Sequence, residues 1–183
     1  MNAAGRSLDS RPSVALWVAA GVVVPAEVHE RLRGGGSALE IGCGGGLGCL
    51  ALAEAYPSAR IVGHDRDSDT IERARTLARA AGLEERVSFS VTVSDRLPRA
   101  AYDLVTLQAL SDRSDTHIII NAVRNALVPD GVCVLVEPTD RLTSRIWNRR
   151  ATPDTLRALA EKAGFSRLRR LEGGSVDAYE LRR

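Results

Sequence analysis

The stretch Glu40-Ile41-Gly42-Cys43-Gly44-Gly45-Gly46-Leu47-Gly48 decides how this chain reads. It sets five glycines within the seven positions 42–48, after Ala38-Leu39-Glu40-Ile41 and before Leu47, Leu50, Ala51 and Ala55. The first run has the length of a buried strand and the second the spacing of a helix. A strand that enters a helix through glycines lets backbone approach a ligand closely and aims amide donors at it. A nucleotide-like ligand is therefore expected. The dinucleotide pattern GxGxxG fails from Gly42, because Leu47 holds its last glycine position, and the register starting at Gly46 runs too far into the helix. No phosphate loop ending in Gly-Lys-Ser/Thr is present.

Outward from this turn the chain alternates short apolar strands with longer helices. Strands are expected at 60–64, 87–93, 103–107 and 132–137. Asp67 or Ser68 caps a helix carrying Ile71, Ala74, Leu77, Ala78 and Ala81, and Gly82 stops it. Another helix spans about 115–127, and Pro129-Asp130-Gly131 supplies a turn into the strand after it. Thr152-Pro153-Asp154 starts a further helix, closed by Gly164. Two last strands, 166–171 and 177–181, flank Glu172-Gly173-Gly174-Ser175 and form an antiparallel hairpin. The sum is an α/β doubly wound, mostly parallel, seven-stranded sheet with helices on both faces. Ligands in such sheets sit at the carboxyl ends of the strands where strand order reverses.

Length and composition fit one domain. The chain has 183 residues, 44% hydrophobic and 26% charged, which excludes disorder and low complexity. Two Phe, two Trp and three Tyr are too few for a base-stacking surface. A net charge of +2 demands neither nucleic acid nor an anionic membrane. Cys43, Cys49 and Cys133 lack CxxC spacing, arguing against a disulfide framework or a zinc site and for reduced thiols in a cytoplasmic protein. An apolar run at 14–24 follows Arg6 and Arg11 and superficially matches a secretory signal. It is shorter than the roughly 20 residues a bilayer requires. Gly21 and Pro25 interrupt it, and amphipathic helices over 13–20 and 25–32 are the expectation.

The glycine segment resembles the first motif of class I S-adenosylmethionine-dependent methyltransferases, with Glu40, Gly42, Gly44 and Gly46 in register. The resemblance continues through an acid closing the next strand in Val62-Gly63-His64-Asp65, then Ile71-Glu72-Arg73-Ala74-Arg75, Ala81-Gly82-Leu83, Tyr102-Asp103-Leu104-Val105 and Leu127-Val128-Pro129-Asp130-Gly131. It covers about 37–137 closely and the tail in outline. It implies S-adenosylmethionine as cofactor and S-adenosylhomocysteine as product, with Asp65 accepting the ribose hydroxyls. Glu40, Gly42, Cys43, Gly44, Gly46, Asp65, Arg66, Ser94, Asp95 and Gln108 are the implied cofactor contacts. One departure stands out: the aspartate that commonly follows the third strand is Val93 here, and Asp95 with Ser94 is the nearest replacement. Glycine turns of this kind also occur in nucleotide-sugar and flavin enzymes.

Methyl transfer needs an aligned acceptor in a dry site and no metal. Where a base is needed, His117 is the best-placed histidine, with Asp112 beside it. His64 reads as packed beneath the cofactor, His29 has no evident partner, and Asp103 reads as a strand-start residue. Thr106-Leu107-Gln108-Ala109 lacks the Asn/Asp-Pro-Pro-aromatic run typical of enzymes that methylate base amines or glutamine amides. This favours a small-molecule acceptor over nucleic acid. Trp17, Arg145 and Trp147 are candidate acceptor contacts, Arg145 and Trp147 in a loop with Arg141, Arg149 and Arg150 that also suits RNA phosphates. The expected division is a segment 1–36 over the acceptor, a cofactor core 37–137, and a region 138–183 carrying the substrate loop, helix and hairpin. The stretch 14–24 offers a dimer surface as well as a lid. Two other readings remain open: a cofactor-binding cyclase, isomerase or partner subunit without methyl transfer, and an RNA methyltransferase.

Overall fold

The computed structural model describes residues 25–92, 97–108, 115–138, 152–171 and 176–183. The helix expected at 13–20 lies outside them. In chain order the elements are α1 (Ala26–Arg33), β1 (Ser37–Ile41), α2 (Leu47–Ala55), β2 (Arg60–Asp65), α3 (Ser68–Ala80), β3 (Val87–Val91) and β4 (Tyr102–Gln108). They continue with α4 (Thr116–Ala126), β5 (Leu127–Pro138), α5 (Pro153–Lys162), β6 (Arg167–Leu171) and β7 (Val176–Arg182).

The strands form one sheet in the order β3-β2-β1-β4-β5-β7-β6. All neighbours from β3 to β5 pair in parallel, and β7 runs antiparallel to both β5 and β6. The expected hairpin is thus present, with its second strand inserted between β5 and β6. Alternating residues of each strand feed two cores. Ala38, Leu104, Val132 and Val134 meet α1, α2 and α3 on one face, through Leu32, Leu52 and Ile71 among others. Leu39, Val105, Cys133 and Leu135 meet α4 and α5 on the other, through Ile120, Val123 and Leu156. Burying both faces is what the mostly apolar central strands require.

The caps show how local chemistry places the helices. Asp67 accepts hydrogen bonds from the amides of Asp69 and Thr70 at the start of α3, and Thr152 accepts from Thr155 at the start of α5. Asp103 behaves as a strand-start residue: its Oδ2 accepts the Ser37 amide at 2.9 Å, tying β4 to β1 at the end of the sheet away from the glycine turn. Burial raises the pKa of Glu180, fully buried on β7, but hydrogen bonds from Arg169 and Arg182 outweigh that and hold the carboxyl below its ordinary range. Arg182 also reaches Glu27 on α1 at 2.9 Å, joining the hairpin to the first helix.

One expected turn is absorbed into a strand. Residues 129–131 lie inside β5, which advances five residues, from Leu127 to Val132, while β4 advances two, from Tyr102 to Leu104. Asp130 has φ 62°, and the Arg31 guanidinium donates to its carbonyl at 2.7 Å. The turn residues therefore build a bulge in a longer strand, because pairing with β4 resumes on both sides of them.

Candidate cofactor site

At the carboxyl end of β1 the backbone turns into α2 through Gly42, Gly44 and Gly46, with φ of 78°, 51° and 80°. Residues with side chains rarely enter this left-handed region, which is the physical reason for a glycine at every second position. Four loop amides are satisfied inside the fold. Gly42 and Cys43 donate to the His64 carbonyl at 2.8 and 3.1 Å, and Gly46 donates to the Cys43 carbonyl at 3.0 Å. Gly44 donates to Oδ2 of Asp65 at 2.9 Å. The expectation that the loop aims its amides at a ligand is corrected for these four, because the curled backbone turns those of Gly42, Cys43 and Gly44 onto β2 and that of Gly46 onto the loop itself.

The polar group they leave for a ligand is the Asp65 carboxylate. Its Oδ1 accepts the Asp67 amide at 3.0 Å, and each oxygen retains a further lone pair. Above the loop there is room, since a Cβ built on Gly42 meets nothing within 4 Å. Below it there is none. A Cβ on Gly46 would come within 2.7 Å of the Phe89 ring, and one on Gly63 within 2.5 Å of the same ring and 2.9 Å of the Cys43 sulfur. Phe89 is thus the floor that holds the loop up. The chain leaves β1 for α2 on one face and the adjacent β4 for α4 on the other, so the crevice that such a reversal creates lies between β1 and β4, with Asp65 one strand away at the end of β2. Open space over a glycine turn, next to a fixed carboxylate with spare acceptor capacity, fits a nucleoside with ribose hydroxyls.

Around this centre the sequence-predicted residues separate. Glu40 is fully buried, its Oε2 accepting the Cys49 thiol at 3.2 Å, so it supports the loop from within the core. Cys43 is buried, with its thiol 3.7 Å from the Gly44 carbonyl. Arg66 forms an ion pair with Asp115 at 2.5 Å. Gln108 closes β4 opposite Val136. His117 is exposed in the first turn of α4, and its carbonyl accepts the Asn121 side-chain amide at 2.7 Å. His64 is partly buried, its Nδ1 lacks a partner, and burial lowers its pKa. His29, without an evident partner in the sequence, bonds the Tyr56 hydroxyl at the far end of α2 from the glycine loop. Trp17, Val93, Ser94, Asp95, Asp112, Arg145 and Trp147 lie outside the described residues. Phe89, Cys49 and Asp115 were not singled out as site residues. Strand periodicity gives Phe89 a face but not its position under two glycines.

Comparison with known proteins places this geometry. A family model for a methyltransferase domain matches residues 32–167. The chain belongs to that methyltransferase domain family. It is similar to the methyltransferase GfsG of Streptomyces halstedii, 27% identical over 172 residues that cover 88% of this chain and 61% of that protein. It is 34% identical to a ubiquinone biosynthesis O-methyltransferase of Idiomarina loihiensis over 100 residues, covering 53% of this chain and 40% of that enzyme. The chain thus spans roughly two to three fifths of these curated relatives. Its fold is shared with the cyclase SpnF at a TM-score of 0.69 and 20% identity, covering 85% of this chain and 78% of that one. Among the described residues no helix is long and apolar enough to cross a membrane, and no group of three or more His, Cys, Asp or Glu is placed to hold a metal.

Proposed function

We propose that this methyltransferase-family chain binds S-adenosylmethionine and transfers its methyl group to a small-molecule acceptor. The observation that carries the reading is the Asp65 carboxylate, held by the Gly44 and Asp67 amides beside the glycine turn. Asp65 receives the ribose hydroxyls, and the open side of Gly42 admits the ligand against backbone. Glu40, Cys43, Gly44 and Gly46 shape the loop, with Arg66, Ser94, Asp95 and Gln108 as further cofactor contacts. When bound, the cofactor supplies a methyl group activated on a sulfonium. The chain's part is alignment and exclusion of water, with His117 or Asp112 taking a proton where the acceptor arrives protonated.

The small-molecule acceptor is supported by the likeness to an enzyme of ubiquinone biosynthesis and by Thr106-Leu107-Gln108-Ala109, which departs from the runs typical of amine and amide methylation. Trp17, Arg145 and Trp147 are its proposed contacts, residues 1–36 and 139–151 its enclosure, and 37–137 the cofactor core of a single domain. A cytoplasmic location and a homodimer built on 14–24 complete the proposal.

The experiment is incubation of the full chain with S-adenosylmethionine and a panel of phenolic, amine and carboxylate acceptors, with S-adenosylhomocysteine as the readout. Turnover that proceeds equally well when S-adenosylhomocysteine replaces the methyl donor excludes transfer and leaves the cyclase or isomerase reading. With RNA added as a further acceptor, methylated RNA and no methylated small molecule moves the acceptor to nucleic acid.

A further inference from the structure

Asp115 stands at the N-cap of α4, yet its side chain accepts no hydrogen bond from the first amides of that helix. An aspartate there ordinarily folds its carboxylate onto the second or third helical amide. Asp67 and Thr152 do so at the starts of α3 and α5. Asp115 instead receives Nη2 of Arg66 on its Oδ2 at 2.5 Å, across 49 residues of sequence.

The place of this bond in the fold gives it meaning. Arg66 directly follows Asp65, at the carboxyl end of β2, and Asp115 opens the helix that follows β4. β2 and β4 are not neighbours, since β1 lies between them. The ion pair therefore crosses the carboxyl end of the sheet over the strand that feeds the glycine loop. It joins the two sides of the crevice where a ligand on Asp65 must sit. Half of the Arg66 side chain and a quarter of the Asp115 side chain are exposed, at 51% and 24%. A pair so open to water contributes little to folding and is screened by salt.

We propose that Asp115 is a positioning residue of the cofactor crevice, acting through Arg66, and that the Arg66–Asp115 pair is a tie that closes over the adenosyl group of the bound ligand. The proposal rests on the reading of Asp65 as the ribose carboxylate. The tie opens to admit the ligand and re-forms to retain it, so its effect falls on the rates of binding and release. It also sets the start of α4, and with it the approach of His117, from the side of the cofactor.

Stopped-flow binding of S-adenosylhomocysteine to the full chain tests this in the wild type, Asp115→Asn, Asp115→Glu, Arg66→Gln and the charge-exchanged double variant Arg66→Asp/Asp115→Arg. Asp115→Asn and Arg66→Gln are expected to release the ligand about threefold faster and to lose the salt dependence of release expected of the wild type. Asp115→Glu restores slow release, the charge-exchanged variant, which lacks the Arg66 contact with the cofactor, recovers it only in part, and the melting temperature without ligand stays at the wild-type value. Wild-type release rates in Asp115→Asn overturn the tie, as does an equal fall in melting temperature with and without ligand, the mark of a helix anchor alone. No binding by the wild type overturns the cofactor reading itself, which separates the two failures.

Discussion

The Gly44 amide donates to Oδ2 of Asp65 at 2.9 Å, so the crest of the glycine loop and the acid closing the next strand are one hydrogen-bonded unit. A ligand that uses the carboxylate meets a group already fixed by the backbone it will lie against. Preorganisation of this kind removes an ordering cost from binding.

Asp65→Asn keeps one acceptor for the Gly44 amide and removes the pair of acceptors that two vicinal hydroxyls require. The variant should fold and lose the thermal shift produced by S-adenosylhomocysteine. Asp65→Ala should also lose roughly 1 kcal/mol of stability, because the part-buried Gly44 amide loses its partner while the exposed Asp67 amide turns to water. Differential scanning fluorimetry with and without ligand separates the effects, and an unaltered ligand shift in both variants would mean that the carboxylate is not the contact.

Gly63→Ala drives a methyl group to 2.5 Å from the Phe89 ring and should cost about 1–3 kcal/mol by overpacking. Phe89→Leu creates space at the same spot, at a cost of its own. Urea denaturation of the double variant should show less destabilisation than the two single losses together. Strict additivity would remove Phe89 as the obstacle.

Burial lowers the pKa of His64 from an ordinary value of 6.5, so the native state holds this imidazole neutral where the unfolded chain would protonate it. Its contribution to stability is complete above pH 6.5 and is lost as the pH falls from there toward the lowered native value, since the unfolded state binds the extra proton. His64→Gln should flatten that stretch of the stability–pH curve while leaving the carboxylate transition at lower pH. A wild-type slope in the variant would assign the effect elsewhere.

All three thiols are buried. Burial pushes Cys133 up to about 12 and, together with Cys43 and Glu40, carries Cys49 well above its ordinary value. A disulfide reagent at neutral pH should therefore titrate almost no thiol in the folded chain and three in denaturant. Rapid labelling of Cys43 in the native protein would show that the loop opens.

The parts of the site legible in the sequence are those governed by local rules. Gly42, Gly44 and Gly46 stand out because a run of glycines between a strand and a helix marks a tightly curled backbone, and Asp65 through the resemblance to the methyltransferase motifs. Asp67 and Thr152 follow from capping chemistry. What stayed hidden depends on partners far along the chain. The amides of Gly42, Cys43 and Gly44 turn onto β2, which only the parallel pairing of β1 with β2 determines. Residues 129–131 carry every mark of a turn, and pairing with β4 makes them a bulge. Asp115 carries the mark of a cap and bonds Arg66 instead.

The position of β7 has a consequence for synthesis on the ribosome. β6 pairs only with β7 among the described strands, and β7 comes after it in the chain. Residues 167–171 therefore emerge with no neighbour to join, and wait until 176–182 have slotted in beside β5. A nascent strand in that interval invites association with other chains. Arg167, Arg169 and Arg170, all exposed, give it a repulsive charge through the wait, so the arginine-rich edge protects the unfinished molecule as well as the finished one.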